Sequence, residues 1–182
     1  MNPTNNNIPE KRQHELISKL TAESDEHIIS FITESKSELE LFYLKPLIDM
    51  MLSERSENLK RTIVEFISEI KNNNIVPIVV DSLEKNFPQK NVTKLVTASW
   101  QSRLDFSKDL SIFFKILIKG NYQIAFEAFT VIENSLDNLE VEKINEFIGI
   151  VKKGVIASDR DKQLLLLEMV SILEKAKRAA IE

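Results

Sequence analysis

Asn74-Ile75-Val76-Pro77-Ile78-Val79-Val80 is the stretch on which the fold class turns. Its composition is that of a buried strand, dense in β-branched residues. Pro77 argues the other way, because a proline inside a sheet removes a ladder donor. With Asn74 as a cap, Pro77 falls in the first turn of a helix, where its missing N–H does no harm. The segment therefore reads as helix.

Outward from it, apolar residues recur at intervals of three and four. Leu59, Ile63, Phe66, Ile67 and Ile70 make one helical face, with Lys60, Arg61, Glu65 and Glu69 opposite. Shorter stripes run through Leu16, Ile17 and Leu20, through Ile28, Ile29, Phe31 and Ile32, and through Leu165, Met169, Ile172 and Leu173. Ser24, Ser107 and Asn121 are placed to cap helix starts. Ser158 with Asp161, and Asp137 with Glu140, approximate capping boxes. Gly120 is expected as a left-handed C-cap. Together these signals predict an all-α protein of about nine or ten helices in antiparallel hairpins, with a single domain over 10–182 after a polar, disordered tail over 1–9.

Composition excludes several classes. The 182 residues contain no cysteine, so disulfides, thiolate metal sites and thiol nucleophiles are out. Three glycines are far below the usual share of about 7%. They form no phosphate-cradling loop. The formal net charge of −4 is a handicap for a nucleic-acid binder, whose affinity comes largely from neutralising phosphates. Apolar runs such as Ile75–Val80 and Leu164–Leu167 are too short to span a bilayer. Met1–Pro9 has no basic stretch followed by an apolar core. A cytoplasmic protein without a membrane anchor is expected.

Internal repetition is more specific. Tyr43-Leu44-Lys45-Pro46-Leu47-Ile48-Asp49 aligns with the opening stretch, proline on proline, at a spacing of 31 residues. Ile112–Ile118 repeats the apolar pattern with Lys115 in the proline's place. Each is followed by a polar turn and a second helix beginning near Ser56, Asn91 and Asn121, with a fourth candidate near Ser158. A helix pair repeating every ~30–40 residues is the mark of an α-solenoid.

On these residues the chain resembles the HEAT and armadillo-like group over roughly 36–178. The resemblance is carried by Pro46 and Pro77 in first helices, Asn91 and Asn121 before second helices, and Ala98 and Ala128 within them. It departs from the group where Asn91 and Asn121 stand for the usual turn aspartate, and Thr93 and Ala125 sit near the usual arginine. The resemblance implies a right-handed α-α superhelix whose second helices line a concave face.

No catalytic set assembles from the sequence. His14 and His27 lie 13 residues apart without metal-ligand spacing, so neither a metal nor another cofactor is expected. The most unusual segment is Ala98–Phe106, which holds the single tryptophan, Trp100, beside Gln101, Arg103 and Asp105. It reads either as packing at a repeat junction or as a binding rim, since Trp and Arg dominate interface hot spots. The concave strip implied by the resemblance adds Thr97, Glu127, Thr130 and Asn134, whose amides and hydroxyls suit an extended peptide backbone.

The expectation is a non-catalytic scaffold for a protein or peptide, monomeric or homodimeric. The alternative is a nucleic-acid-binding protein or an enzyme like the HEAT-like alkylpurine DNA glycosylases. Trp100 and Asp105 imitate their aromatic and acidic site, while the net charge contradicts their basic DNA surface. A chromophore role, as in the HEAT-like bilin lyases, finds no pocket residues.

Overall fold

The computed structural model describes residues 8–35, 39–137 and 139–181. Among them it holds ten α-helices and no strand. Around Pro77 the chain makes a 3-10 turn over Asn73–Ile75 and continues as a helix with Pro77 in its first turn. The cap is Asn72, whose side chain accepts the N–H of Asn74, two residues earlier than the sequence indicated. Of the tail expected over 1–9, residues 1–7 lie outside the described residues; Pro9 directly precedes the first helix.

The chain forms two compact units, Met1–Leu104 and Asp105–Glu182. The first contains α1 (Glu10–Ala22), α2 (Asp25–Glu34), α3 (Leu44–Met51), α4 (Glu57–Glu69), α5 (Val76–Asn86) and α6 (Thr93–Ser102). Here α3 packs on α1 and α5, α4 packs on α2 and α6, and the hairpin partners α3/α4 and α5/α6 also touch. Helices thus alternate between two layers. The stripe Leu59, Ile63, Phe66 and Ile67 is fully buried, as its spacing predicts.

The second unit contains α7 (Leu110–Lys119), α8 (Tyr122–Glu133), α9 (Val141–Ile156) and α10 (Arg160–Ala179). Hairpins α7/α8 and α9/α10 stack with α7 against α9 and α8 against α10. Its core includes an edge-on pair, Phe106 and Phe113, with centroids 5.2 Å apart. Phe114 and Phe147 join α7 to α9 as a stacked pair at 4.0 Å.

Helix ends follow the sequence in part. Ser24, Ser56 and Asn121 accept the N–H groups of His27, Leu59 and Ile124. At α10 the cap is Asp159 instead of Ser158, whose hydroxyl donates back to the Gly154 carbonyl. Ser107 makes no side-chain cap; its own N–H is bound by Asp105. The Asp137/Glu140 box does not form, since α9 starts after Glu140 without a side-chain cap.

Gly120 is not left-handed. Its φ is −71° and ψ 165°. Glycine is needed there for space, because a Cβ would stand 2.3 Å from the Ile124 side chain and 2.7 Å from the Ile116 carbonyl. Among the described residues the left-handed one is Arg103, φ 56°, ending α6.

One buried cation fastens the second unit. Lys162, in the first turn of α10, is only 8% exposed. Its ammonium donates to the Ile118 carbonyl at 2.6 Å and to the Gly120 carbonyl, both at the α7–α8 turn. Burial pushes its pKa below the usual lysine value, and Asp159 opposes that shift. Lys162→Ala leaves these carbonyls without their charged donor, and a loss of about 1–3 kcal/mol is expected. Urea denaturation followed by far-UV circular dichroism measures it; an unchanged midpoint refutes the fastening role.

Candidate functional site

The residues nominated by the sequence divide between the units. Thr97, Trp100, Gln101 and Arg103 belong to α6 and its end; Asp105, Glu127, Thr130 and Asn134 belong to the second unit. Much of their hydrogen-bonding capacity is already taken up. Thr97 donates to the Thr93 carbonyl at 3.0 Å and Thr130 to the Phe126 carbonyl at 3.2 Å. The Gln101 side-chain carbonyl accepts from Ser68 at 3.0 Å. Arg103 serves as the left-handed terminator of α6. Asp105 binds the Ser107 N–H at 2.9 Å. Hydrogen bonds from Ser107 hold its carboxyl below the ordinary carboxylate value, which makes it a poor general base at neutral pH. Trp100 is half-buried, and Asn134 is exposed at the end of α8.

His14 and His27 are exposed and lie beside glutamates one turn away on or next to their own helices, Glu10 at 3.9 Å and Glu23 at 3.0 Å. No group of three or more His, Asp or Glu side chains placed to hold a metal occurs among the described residues.

A feature the sequence reading missed lies at the turns of the first unit. Asp25, first residue of α2, accepts from Arg55 at 2.8 Å and from the Ser56 N–H at 2.7 Å. Arg55 also donates to the Thr21 and Glu23 carbonyls, at 2.7 and 3.2 Å. This ties the α1–α2 turn to the α3–α4 turn. The hydrogen bond from the Ser56 backbone is the chief cause of Asp25's lowered pKa. Next along, Glu57 at the start of α4 pairs with Lys94 of α6 at 2.9 Å. The available signal was positional: Asp25 follows the cap Ser24, and Arg55 precedes the cap Ser56.

The unit also holds a cleft of about 400 Å³ where Glu57, Lys60 and Lys94 meet Lys90 and Asn91. Of its two acids, Glu54 and Glu57, the latter pairs with two of its lysines, with Lys60 at 3.5 Å and Lys94 at 2.9 Å.

The second unit differs in exposing apolar surface. Tyr122, Phe126, Ile150, Ile156, Leu164, Leu167 and Ile181 are the large exposed hydrophobics of the described residues, and all lie there. Between α7 and α9 runs an open groove of about 510 Å³ over Phe114, Ile118, Phe147 and Ile150. Gly154 lets the helices approach, since a Cβ would stand 3.2 Å from Ile118. Lys115, Lys119 and Lys153 line its edge, with Glu146 as the one acid.

No family model, curated protein or solved structure matches the chain. The surfaces themselves therefore carry the functional argument. No helix among the described residues is long and apolar enough to cross a membrane.

Two outcomes follow from the turn geometry. Asp25→Asn removes a charge that two donors hold, and a loss of about 1–3 kcal/mol is expected. Because the folded pKa lies below the ordinary 3.8, the wild-type contribution is complete above that value and disappears as pH falls through the folded pKa. Thermal melts across acid pH should therefore converge for the two proteins at the acid end; a constant gap overturns the assignment. Arg103→Gly relieves a left-handed backbone and should raise stability by about 0.5–1 kcal/mol in guanidinium titrations, whereas a destabilised variant would show that the arginine side chain matters more than its backbone.

Proposed function

We propose that the chain is a non-catalytic interaction module, built from HEAT-like hairpin repeats in a right-handed α-α superhelix, that holds a protein or peptide partner. The alternation of helices between two layers within each unit supports the repeat reading. The observation that carries the function is the concentration of exposed large hydrophobics in the second unit. Burying an apolar side chain is worth roughly 1.5–3 kcal/mol, so a cluster left in water is a standing site for association. A cytoplasmic location without a bound cofactor goes with this reading.

Gln101 in the first unit and Asn134 in the second each belong to the same reading as a contact for a peptide backbone. Thr97 and Thr130 already bond to their own helices, so the larger share of the binding energy is assigned to the exposed hydrophobics of the second unit. Tyr122 and Phe126, one turn apart on α8, and Leu164 and Leu167 on α10 are each more than half exposed. Lys162 brings the starts of these two helices together.

Affinity capture from the native cell, read by mass spectrometry, tests this. The full chain is compared with Phe126→Ser/Leu167→Ser, after circular dichroism establishes that the variant is folded. Proteins held by the wild type and lost by the variant are expected. Identical retained sets would remove the second unit as the docking surface.

A further inference from the structure

The α7/α9 groove has a chemistry of its own, distinct from the apolar residues on α8 and α10. Its floor is rigid, because Phe114 and Phe147 are buried and stacked at 4.0 Å. Ile118 and Ile150, with the smaller Ala157, are its accessible apolar residues. On its edge, Lys115 and Lys119 stand one turn apart on α7, and Lys153 stands on α9. None of the three has an ion-pair partner among the described residues. Glu146 is paired with Lys143 at 2.8 Å, and that lysine also lies 5.1 Å from the Phe147 ring centre. In a chain whose net charge is −4, this groove is a local excess of positive charge around an apolar trough.

We propose that the groove docks an amphipathic helix of a partner protein, with its apolar stripe on Ile118 and Ile150 and acidic residues beside that stripe facing Lys115, Lys119 and Lys153. The proposal rests on the interaction reading above and names the partner's chemistry. The charge pattern selects the acidic flank. The dimensions select the helix. Ser111 to Lys119 spans roughly 12 Å of α7 and Glu146 to Ala157 roughly 16 Å of α9, the length of two to three helical turns. Such a length accommodates anchors at i, i+3, i+4 and i+7, the usual helix-in-groove register. An open trough between two helices also suits a helix laid along it better than a single lipid chain, which needs enclosure to leave water.

The test uses the full chain and a labelled synthetic peptide of about three helical turns, with leucine at i, i+3, i+4 and i+7 flanked by glutamate. A twin peptide carries lysine for every glutamate. Fluorescence anisotropy should show binding of the glutamate peptide only, weakening as salt rises well above physiological ionic strength. Lys115→Gln/Lys119→Gln/Lys153→Gln should weaken it about tenfold and flatten the salt dependence. Ile150→Gln should weaken it about fivefold with the salt dependence retained. Ser171→Ala, exposed on α10 and outside the groove's lining, should change nothing.

Equal binding of both peptides, binding by neither, or binding indifferent to the lysine and Ile150 changes overturns the proposal. So does tight binding to phosphatidylglycerol-containing vesicles with no peptide preference, which would assign the groove to a membrane surface. If cell-extract partners depend on Phe126 and Leu167 while the glutamate peptide fails to bind, this proposal falls and the interaction reading stands.

Discussion

Every helix leaves backbone N–H groups at its start and carbonyls at its end without intrahelical partners. In this chain those orphan groups hold neighbouring hairpins together. The Ser56 N–H before α4 is bound by Asp25 of α2, and the carbonyls of Thr21 and Glu23 at the end of α1 are bound by Arg55. The Ser102 carbonyl at the end of α6 takes the ammonium of Lys71, just beyond α4, at 2.8 Å. The carbonyls of Ile118 and Gly120 take Lys162. Each contact satisfies a helix terminus with a charged side chain from another hairpin, and charge-assisted bonds of this kind are the stronger class. Apolar stripes determine that the hairpins stack; these bonds fix where one hairpin sits along the next.

That division explains what was legible in the sequence. Periodicity and capping depend on neighbours within a turn or two, so the helical reading of Ile75–Val80, the caps Ser24 and Asn121 and a helix start near Ser56 could be read directly. Ser158 was an adjacent-residue error between two good cap formers, and Asp159 has the better placement because its carboxylate reaches the Lys162 N–H. Gly120 looked like a left-handed cap because glycine usually is one, while the real constraint is the Ile124 side chain a turn away in the next helix. The left-handed position fell to Arg103, a residue type that gives no such signal. Hydroxyls and amides cluster on the second helices, but the Thr97 and Thr130 hydroxyls fold back onto their own backbones, a contact that residue type and spacing do not reveal.

The groove was invisible for a different reason. Lys115 and Lys119 are separated in sequence from Lys153, and Phe114 from Phe147, by more than thirty residues. In the first-helix repeat, Lys115 marked only a departure from the proline of Pro46 and Pro77. The stacking of α7 on α9 turns that departure into one side of a basic rim. Pairing across a layer of helices is long-range information, and local pattern carries none of it.

The exposed apolar surface on the other layer obeys the same logic. On α10 the buried stripe is Leu165, Leu166, Met169 and Leu173. At helical spacing the opposite face runs Leu164, Leu167, Ser171, Lys175 and Arg178. A solvated face would be polar along its whole length. Here it is charged at Arg160, apolar at Leu164 and Leu167 and charged again in its last turn, so the exception lies near the end that Lys162 fastens beside the start of α8, where Tyr122 and Phe126 are exposed. The other carbonyl held by Lys162 belongs to Ile118, which lines the groove. One buried ammonium thus sets the position of both apolar surfaces of the second unit. A change that loosens it acts on the two together, even though neither surface includes the lysine itself.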